Sequence, residues 1–332
     1  MKAPQRITII GNGGMGTVCA TLLCEKGKEV TMWGHDKEEL AEMEGARENV
    51  RYLPGYSLPP SLKLEAKDER ALEATELVIN AVPCQFVRNV FKRLKDHVPH
   101  AVPVASVTKG FERETLQRPT EILHSLLGER DYVVLSGPTI ADEIAQRLPA
   151  TITAAAKSLD AAKMVQELFS CKYLRVYTND DVLGVELAGA VKNVIAIAAG
   201  IVDGLGAGDN AKAALVTRGL AEIRRLGEAL GARSDTFSGL SGLGDLVTTC
   251  ISSMGRNRGF GERIGKGMTA QEALNSTQSV VEGAATCRSV LDLAQQHNID
   301  MPITAAVVSV ISGDISANQA IHDLMTRRLK QE

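Results

Sequence analysis

Absences narrow this chain before any motif does. Its six cysteines, Cys19, Cys24, Cys84, Cys171, Cys250 and Cys287, are scattered and form no CxxC pair. That excludes a disulfide framework and a zinc site of ordinary ligand spacing. The six histidines form no HxxxH or HExxH pattern, and HVPH at 97–100 falls between a helix-like and a strand-like stretch, as a solvated loop does. No metal is expected. Charge of one sign is also missing: 37 basic against 40 acidic side chains leave a net −3, so there is no footprint for nucleic acid. The longest apolar stretch, 187–202, is broken by Lys192 and Asn193, so no membrane span is expected. The opening MKAPQRITII has no apolar signal region and no small-residue cleavage site, which points to the cytoplasm. There is no tandem repeat and no low-complexity tract.

What is present suits a globular protein with room for two domains: 332 residues, 44% hydrophobic and 23% charged. The first half alternates β-branched runs with helix-like segments. RITII (6–10), EVTMW (29–33), ELVINAV (76–82), VPVASV (102–107) and DYVVLS (131–136) read as strands. ATITAAA (150–156) and YLRVYT (173–178) extend the series. This alternation predicts a Rossmann-type, doubly wound α/β sheet. Beyond TNDD at 178–181 strand-like runs nearly vanish and helical periodicity takes over, so an all-helical domain is expected to follow. The reading places a dinucleotide-binding domain at 1–179 and a helical substrate and catalytic domain at 180–332.

The sequence ITIIGNGGMGTVCATLL sets Gly11, Gly13 and Gly16 in GxGxxG spacing, after a strand and at the start of a helix. Gly11 permits the tight turn, Gly13 lets backbone approach a pyrophosphate, and Gly16 lets helix and strand pack closely. The helix N-terminus then offers unpaired N–H groups and partial positive charge to the phosphates. After the second strand, Asp36 stands where an acid would hold ribose hydroxyls, and His35 beside it could meet a 2′-phosphate. NAD and NADP both remain open on these residues.

The apolar segment ELAGAVKNVIAIAAG (186–200) carries Lys192 at its middle. Lysine is almost never fully buried without a partner. Either its stem lies along the surface with the head in water, or it faces a cleft with a chemical task. Other residues bear on the choice. Lys109 follows a strand end, the side of an open sheet that faces the ligand crevice. Gly137 and Thr139 open a helix after the fifth strand. Asp245 lies in a small-residue stretch, and Arg256-Asn257-Arg258 sits between glycines, where an arginine fork matches phosphate oxygens. Together they suggest hydride transfer between a nicotinamide cofactor and a small anionic substrate, with Lys192 as the base and Asp245 orienting it. A lysine serves as base when burial and a neighbouring cation such as Lys109 bring its pKa toward neutrality.

The glycine loop, SVTKG, SGPTIADEIA, ELAGAVKNVIAIAAGIVDGL, GLSGLGDLVTTC, GRNRGFG and VVEGAAT, in this order, resemble the bacterial NAD(P)-dependent glycerol-3-phosphate dehydrogenases nearly end to end. The resemblance implies interconversion of sn-glycerol 3-phosphate and dihydroxyacetone phosphate, supplying glycerol 3-phosphate for phospholipid synthesis. It implies that Lys192 is the proton acceptor and that Lys109 touches cofactor and substrate. Gly137, Thr139, Asn193, Asp245, Gly255, Arg256 and Asn257 are implied as substrate contacts. Gly14, Met15, His35, Ala141, Arg256, Val280 and Glu282 are implied as cofactor contacts. NADPH favoured over NADH, and a homodimer, are further implications.

Two departures from that family's pattern stand out. Gly14-Met15 stand where Ser and an aromatic are common, and Gly255 stands where Ser is usual, so one side-chain hydrogen bond to substrate is lost. A related two-domain dehydrogenase of hydroxy acids or sugar acids is the rival reading, and a cofactor-sensing protein without turnover is another. The first lacks a reason for the GRNRG loop, and the second has no use for Lys192 together with Asp245.

Overall fold

The structure is a computed structural model, and it describes residues 3–277, 281–329 and 331. Two compact units divide the chain: Met1–Lys109 with Gln117–Val185, and Gly110–Leu116 with Glu186–Glu332.

The first unit is built on one eight-stranded sheet. β1 (Arg6–Ile10), α1 (Gly14–Glu25), β2 (Glu29–Trp33) and α2 (Lys37–Ala46) come first in the chain. A hairpin of β3 (Glu48–Asn49) and β4 (Leu53–Ser57) follows, then β5 (Lys63–Glu65), α3 (Asp68–Leu72), β6 (Leu77–Asn80) and α4 (Cys84–Leu94). Next are β7 (Val104–Ser106), α5 (Pro119–Leu127), β8 (Tyr132–Ser136), α6 (Ala141–Ala145), β9 (Ala150–Ala155), α7 (Leu159–Phe169) and β10 (Leu174–Asn179). The order across the sheet is β10-β9-β8-β7-β6-β1-β2-β5.

Without β9 and β10, the six remaining strands lie in the order 3-2-1-4-5-6, all parallel, with the crossover reversing between β1 and β6. Ligands in such sheets bind at that reversal, beyond the strand C-termini. β9 pairs antiparallel to β8 and carries β10 with it, so this edge runs backwards.

Alternation fixes the two faces. Ile7 and Ile9 of β1, Leu77 and Ile79 of β6, and Val133 and Leu135 of β8 join α1 and α7 in one core. Ile10, Val78 and Val104 point the other way, into a core with α4 and α5. A sheet buried on both faces demands such continuous apolar strands.

In the second unit helices replace strands. α8 (Val182–Gly204) begins just before it and α9 (Asp209–Ala229) follows. α10 (Ser234–Ser238), a π turn at Leu240–Gly244, α11 (Asp245–Ile251) and α12 (Arg256–Gly265) come next. The chain ends through α13 (Ala270–Asn275), α14 (Glu282–Gln296), α15 (Pro302–Ser312) and α16 (Ala317–Met325). By length and composition α8 could cross a membrane, but its apolar window is entirely buried.

Glycines set the closest approach in this unit. A Cβ on Gly200 of α8 would fall 1.9 Å from the Arg258 carbonyl oxygen, and one on Gly261 of α12 would fall 2.0 Å from that of Ile197. Gly204 and Gly265, one turn on, repeat the contact. The α8 and α12 backbones therefore touch directly, with no room for a methyl group between them.

Candidate functional site

In the first unit the glycine turn closes as its spacing predicts. Gly11 has φ +108°, and a Cβ there would lie 2.9 Å from the Ala81 carbonyl oxygen. A Cβ on Gly16 would lie 2.3 Å from the Gly11 oxygen. At Gly13, the N-cap of α1, a Cβ would meet nothing within 4 Å, and no side chain caps the helix. Open space in front of an uncapped helix N-terminus is the cradle that a pyrophosphate fills, so the residues present fit a dinucleotide.

Gly14 is explained by its neighbours: a Cβ would come 2.8 Å from the Tyr52 carbonyl oxygen and 3.7 Å from the Ala141 Cβ. The Tyr52 carbonyl stands where a serine side chain would need room. Ala141 and Gly14 are thus brought together, and Met15 packs at the edge of the core. His35 is exposed, while Asp36 spends Oδ1 on the N–H groups of Glu38 and Glu39, at 2.9 and 3.2 Å, as the cap of α2.

The ends of β6, β7 and β8 hold a second cluster. Asn80, fully buried, donates to Ser106 Oγ at 3.1 Å and Thr108 Oγ1 at 3.0 Å. Thr108 donates in turn to the Val82 carbonyl at 2.7 Å. This buried network sets the loop that carries Lys109. Lys109 Nζ donates to the Gly137 carbonyl at 3.3 Å, and Thr139 Oγ1 donates to the same oxygen at 3.0 Å. Three expected substrate residues therefore converge on one point. Gly137 is required there, since a Cβ would lie 3.0 Å from the Ile152 Cα.

In the second unit Lys192 is not a surface residue. Its side chain is 7% exposed, and Nζ donates to Asp245 Oδ1 at 2.5 Å and Thr249 Oγ1 at 2.6 Å. Thr249 donates to the Asp245 carbonyl one turn back, at 2.6 Å. Sequence reasoning overlooked Thr249, although its spacing from Asp245 puts both on one face of α11. The adjacent Cys250 is no competing nucleophile, because burial pushes its thiol up to about 12.

Gly255 is the N-cap of α12, and a Cβ there would stand 3.2 Å from both the Ser252 and Thr249 carbonyl oxygens. The usual serine would crowd both. Arg256, the first residue of α12, is exposed, whereas Arg258 pairs with Asp203 at 2.6 Å and with Glu262 at 3.3 Å. Asn257 is buried and accepts the Gly283 N–H through Oδ1 at 2.9 Å, capping α14. A Cβ on Gly283 would fall 2.9 Å from the Asn193 carbonyl oxygen, so the Asn193, Asn257 and Glu282 segments meet here. Val280 lies outside the described residues. No group of three or more potential metal ligands occurs among the described residues.

Comparisons with known proteins agree across the whole chain. Residues 6–162 match the family described as NAD-dependent glycerol-3-phosphate dehydrogenase N-terminus, and residues 181–322 match its C-terminus. A glycerol-3-phosphate dehydrogenase [NAD(P)+] of Chlorobium phaeobacteroides is 44% identical over 331 residues, 99% of each chain. One from Citrifermentans bemidjiense is 45% identical over the same coverage. The crystal structure of glycerol-3-phosphate dehydrogenase from Coxiella burnetii superposes with a TM-score of 0.94 at 38% identity, over 97% of this chain and 99% of that one.

Proposed function

The chain belongs to the NAD-dependent glycerol-3-phosphate dehydrogenase family, and from that premise we propose how its residues carry out the family's reaction. It interconverts sn-glycerol 3-phosphate and dihydroxyacetone phosphate with NAD(P), and so supplies glycerol 3-phosphate for phospholipid synthesis. Residues 1–179 serve as the dinucleotide-binding domain and 180–332 as the substrate and catalytic domain. NADPH is preferred to NADH, and the protein works as a cytoplasmic homodimer.

The observation that carries this reading is the buried Lys192–Asp245–Thr249 set. Bound NAD(P)H supplies the hydride. Lys192 gives its proton to the carbonyl oxygen of dihydroxyacetone phosphate, or takes the hydroxyl proton in the reverse direction. Asp245 and Thr249 each hold one Nζ direction, which orients the ammonium group for the substrate oxygen. Arg256, Asn257, Asn193 and the uncapped start of α12 at Gly255 receive the substrate and its phosphate, as helix N-termini favour anions. Lys109, Gly137 and Thr139 contact substrate from the strand ends. Gly11, Gly13, Gly14, Met15, Gly16, His35, Lys109 and Ala141 hold the cofactor, with Arg256, Val280 and Glu282.

The test compares dihydroxyacetone phosphate with dihydroxyacetone as acceptors of NADPH reducing equivalents. Turnover should require the phosphate. With NADPH saturating, Arg256→Ala should lower kcat/KM for the phosphorylated substrate about 10–100-fold, the scale of one charge-assisted hydrogen bond, and leave the weak use of dihydroxyacetone nearly unchanged. Equal losses on both would remove Arg256 from the phosphate.

A further inference from the structure

We infer that Arg51, on the β3–β4 hairpin, is this chain's ligand for the 2′-phosphate of NADPH, and that Glu39 holds it in reserve when NADH binds. The inference rests on the reading that NAD(P) occupies the glycine turn. Three segments meet there. Asn49, fully buried, donates to the Asn12 carbonyl and to Thr17 Oγ1, both at 2.7 Å, and accepts the Tyr52 N–H at 3.1 Å. The hairpin is therefore bolted to the glycine turn. The end of β2 joins them, since a Cβ on Gly34 would lie 3.3 Å from Asn12 Cγ. The adenosine ribose of a dinucleotide lies beside the end of the second strand, so the 50–52 tip borders it.

The charges at this point need a cation. Asp36 and Glu39 are both acidic, and Glu39 is only 10% exposed, with Oε1 buried and without a hydrogen-bond partner. Two carboxylates suit ribose hydroxyls and repel a phosphate. Arg51 reverses that. Its guanidinium stacks 5.2 Å above the Tyr52 ring and stands 4.0 Å from Glu39 Oε2, at the outer limit of an ion pair. Half-exposed and loosely held, its planar fork is free to turn onto a phosphate.

The test is calorimetry of the full chain with 2′,5′-ADP and 5′-AMP. Arg51→Ala should weaken 2′,5′-ADP about tenfold or more and hold 5′-AMP within about twofold. Glu39→Gln should tighten 2′,5′-ADP, and the kcat/KM ratio of NADPH to NADH should move in the same two directions. Equal weakening of both fragments, no weakening of either, or a loss reproduced by His35→Ala and not by Arg51→Ala would overturn the inference. If the wild type binds both fragments equally, Arg51 and the NADPH preference fall together. Turnover of dihydroxyacetone phosphate would still stand as the separate measure of the reaction.

Discussion

An ammonium group enclosed by an apolar helix must be neutralised within reach, because an isolated buried charge is costly. Lys192 meets that demand with one carboxylate and one hydroxyl. Its removal should therefore show in two observables. Lys192→Ala should lower kcat about 10²–10⁴-fold, the range of a positioned proton-transfer group. It should also cost about 3–5 kcal/mol of stability, because the buried Asp245 carboxylate loses its cation. Adding Asp245→Asn should restore most of the melting temperature and none of the rate. Lys192→Arg should fail nearly as badly as alanine, since a guanidinium keeps its proton at neutral pH. A Lys192→Ala variant with wild-type kcat would shift the proton step to another residue. A carboxylate and a hydroxyl flank this lysine.

At the scale of elements, the α8–α12 crossing has no tolerance. Gly261→Ala would drive a Cβ to 2.0 Å from the Ile197 carbonyl, a backbone atom that cannot step aside. Overpacking of this kind costs about 1–3 kcal/mol. Since α12 begins at Arg256, the displacement should also raise KM for dihydroxyacetone phosphate. Gly259 sits on the same helix, but a Cβ there meets only Arg263 Nη1, at 3.7 Å. Gly259→Ala should therefore be neutral or stabilising by up to about 1 kcal/mol, the helix preference of alanine over glycine. Thermal melts of the two variants, with KM values, check both. If Gly261→Ala melted like the wild type, the crossing would be looser than described.

The strands around the cofactor turn were readable because each is a β-branched run bounded by glycine or polar turns, and RITII, EVTMW and YVVLS fall where expected. Three features were not. LPGYS, the second arm of the hairpin, contains proline and glycine and is mostly exposed, so it shows no alternation. KLE at the sheet edge is too short to carry a period. The reversal at β9 depends on which edges pair, and a strand reads the same in either direction. In the site, Gly13 and Lys192 stood out from their surroundings. Thr249, Asn80 and Asn49 did not, because a buried hydrogen-bonding side chain is identified by partners distant in sequence.

Stability of the whole molecule carries one pH term that can be isolated. Glu222 of α9 is buried and accepts Ile303 N at 2.6 Å, Thr304 N at 3.2 Å and Thr304 Oγ1 at 3.0 Å, capping α15. Burial raises its pKa more than these donors, and then Arg225, lower it. With the folded value above the unfolded one, its favourable contribution is complete below the ordinary value of 4.5 and is lost as pH rises through the folded pKa. Glu222→Gln keeps an acceptor oxygen and removes the titration. Its stability relative to wild type should therefore improve from about pH 4 to pH 7 in urea melts, and a constant or falling difference would contradict the raised pKa. Glu222→Ala leaves the α15 donors unanswered and should cost about 1–3 kcal/mol at any pH in that range.

Residues 110–116 group with the second unit, although 117–185 return to the first. Phe111 within that short excursion is 1% exposed. On the ribosome the excursion emerges long before residues 186–332, the companions it groups with. No single peptide bond therefore parts this chain into two complete pieces, and gene halves expressed separately would each be missing or carrying a stretch that belongs to the other.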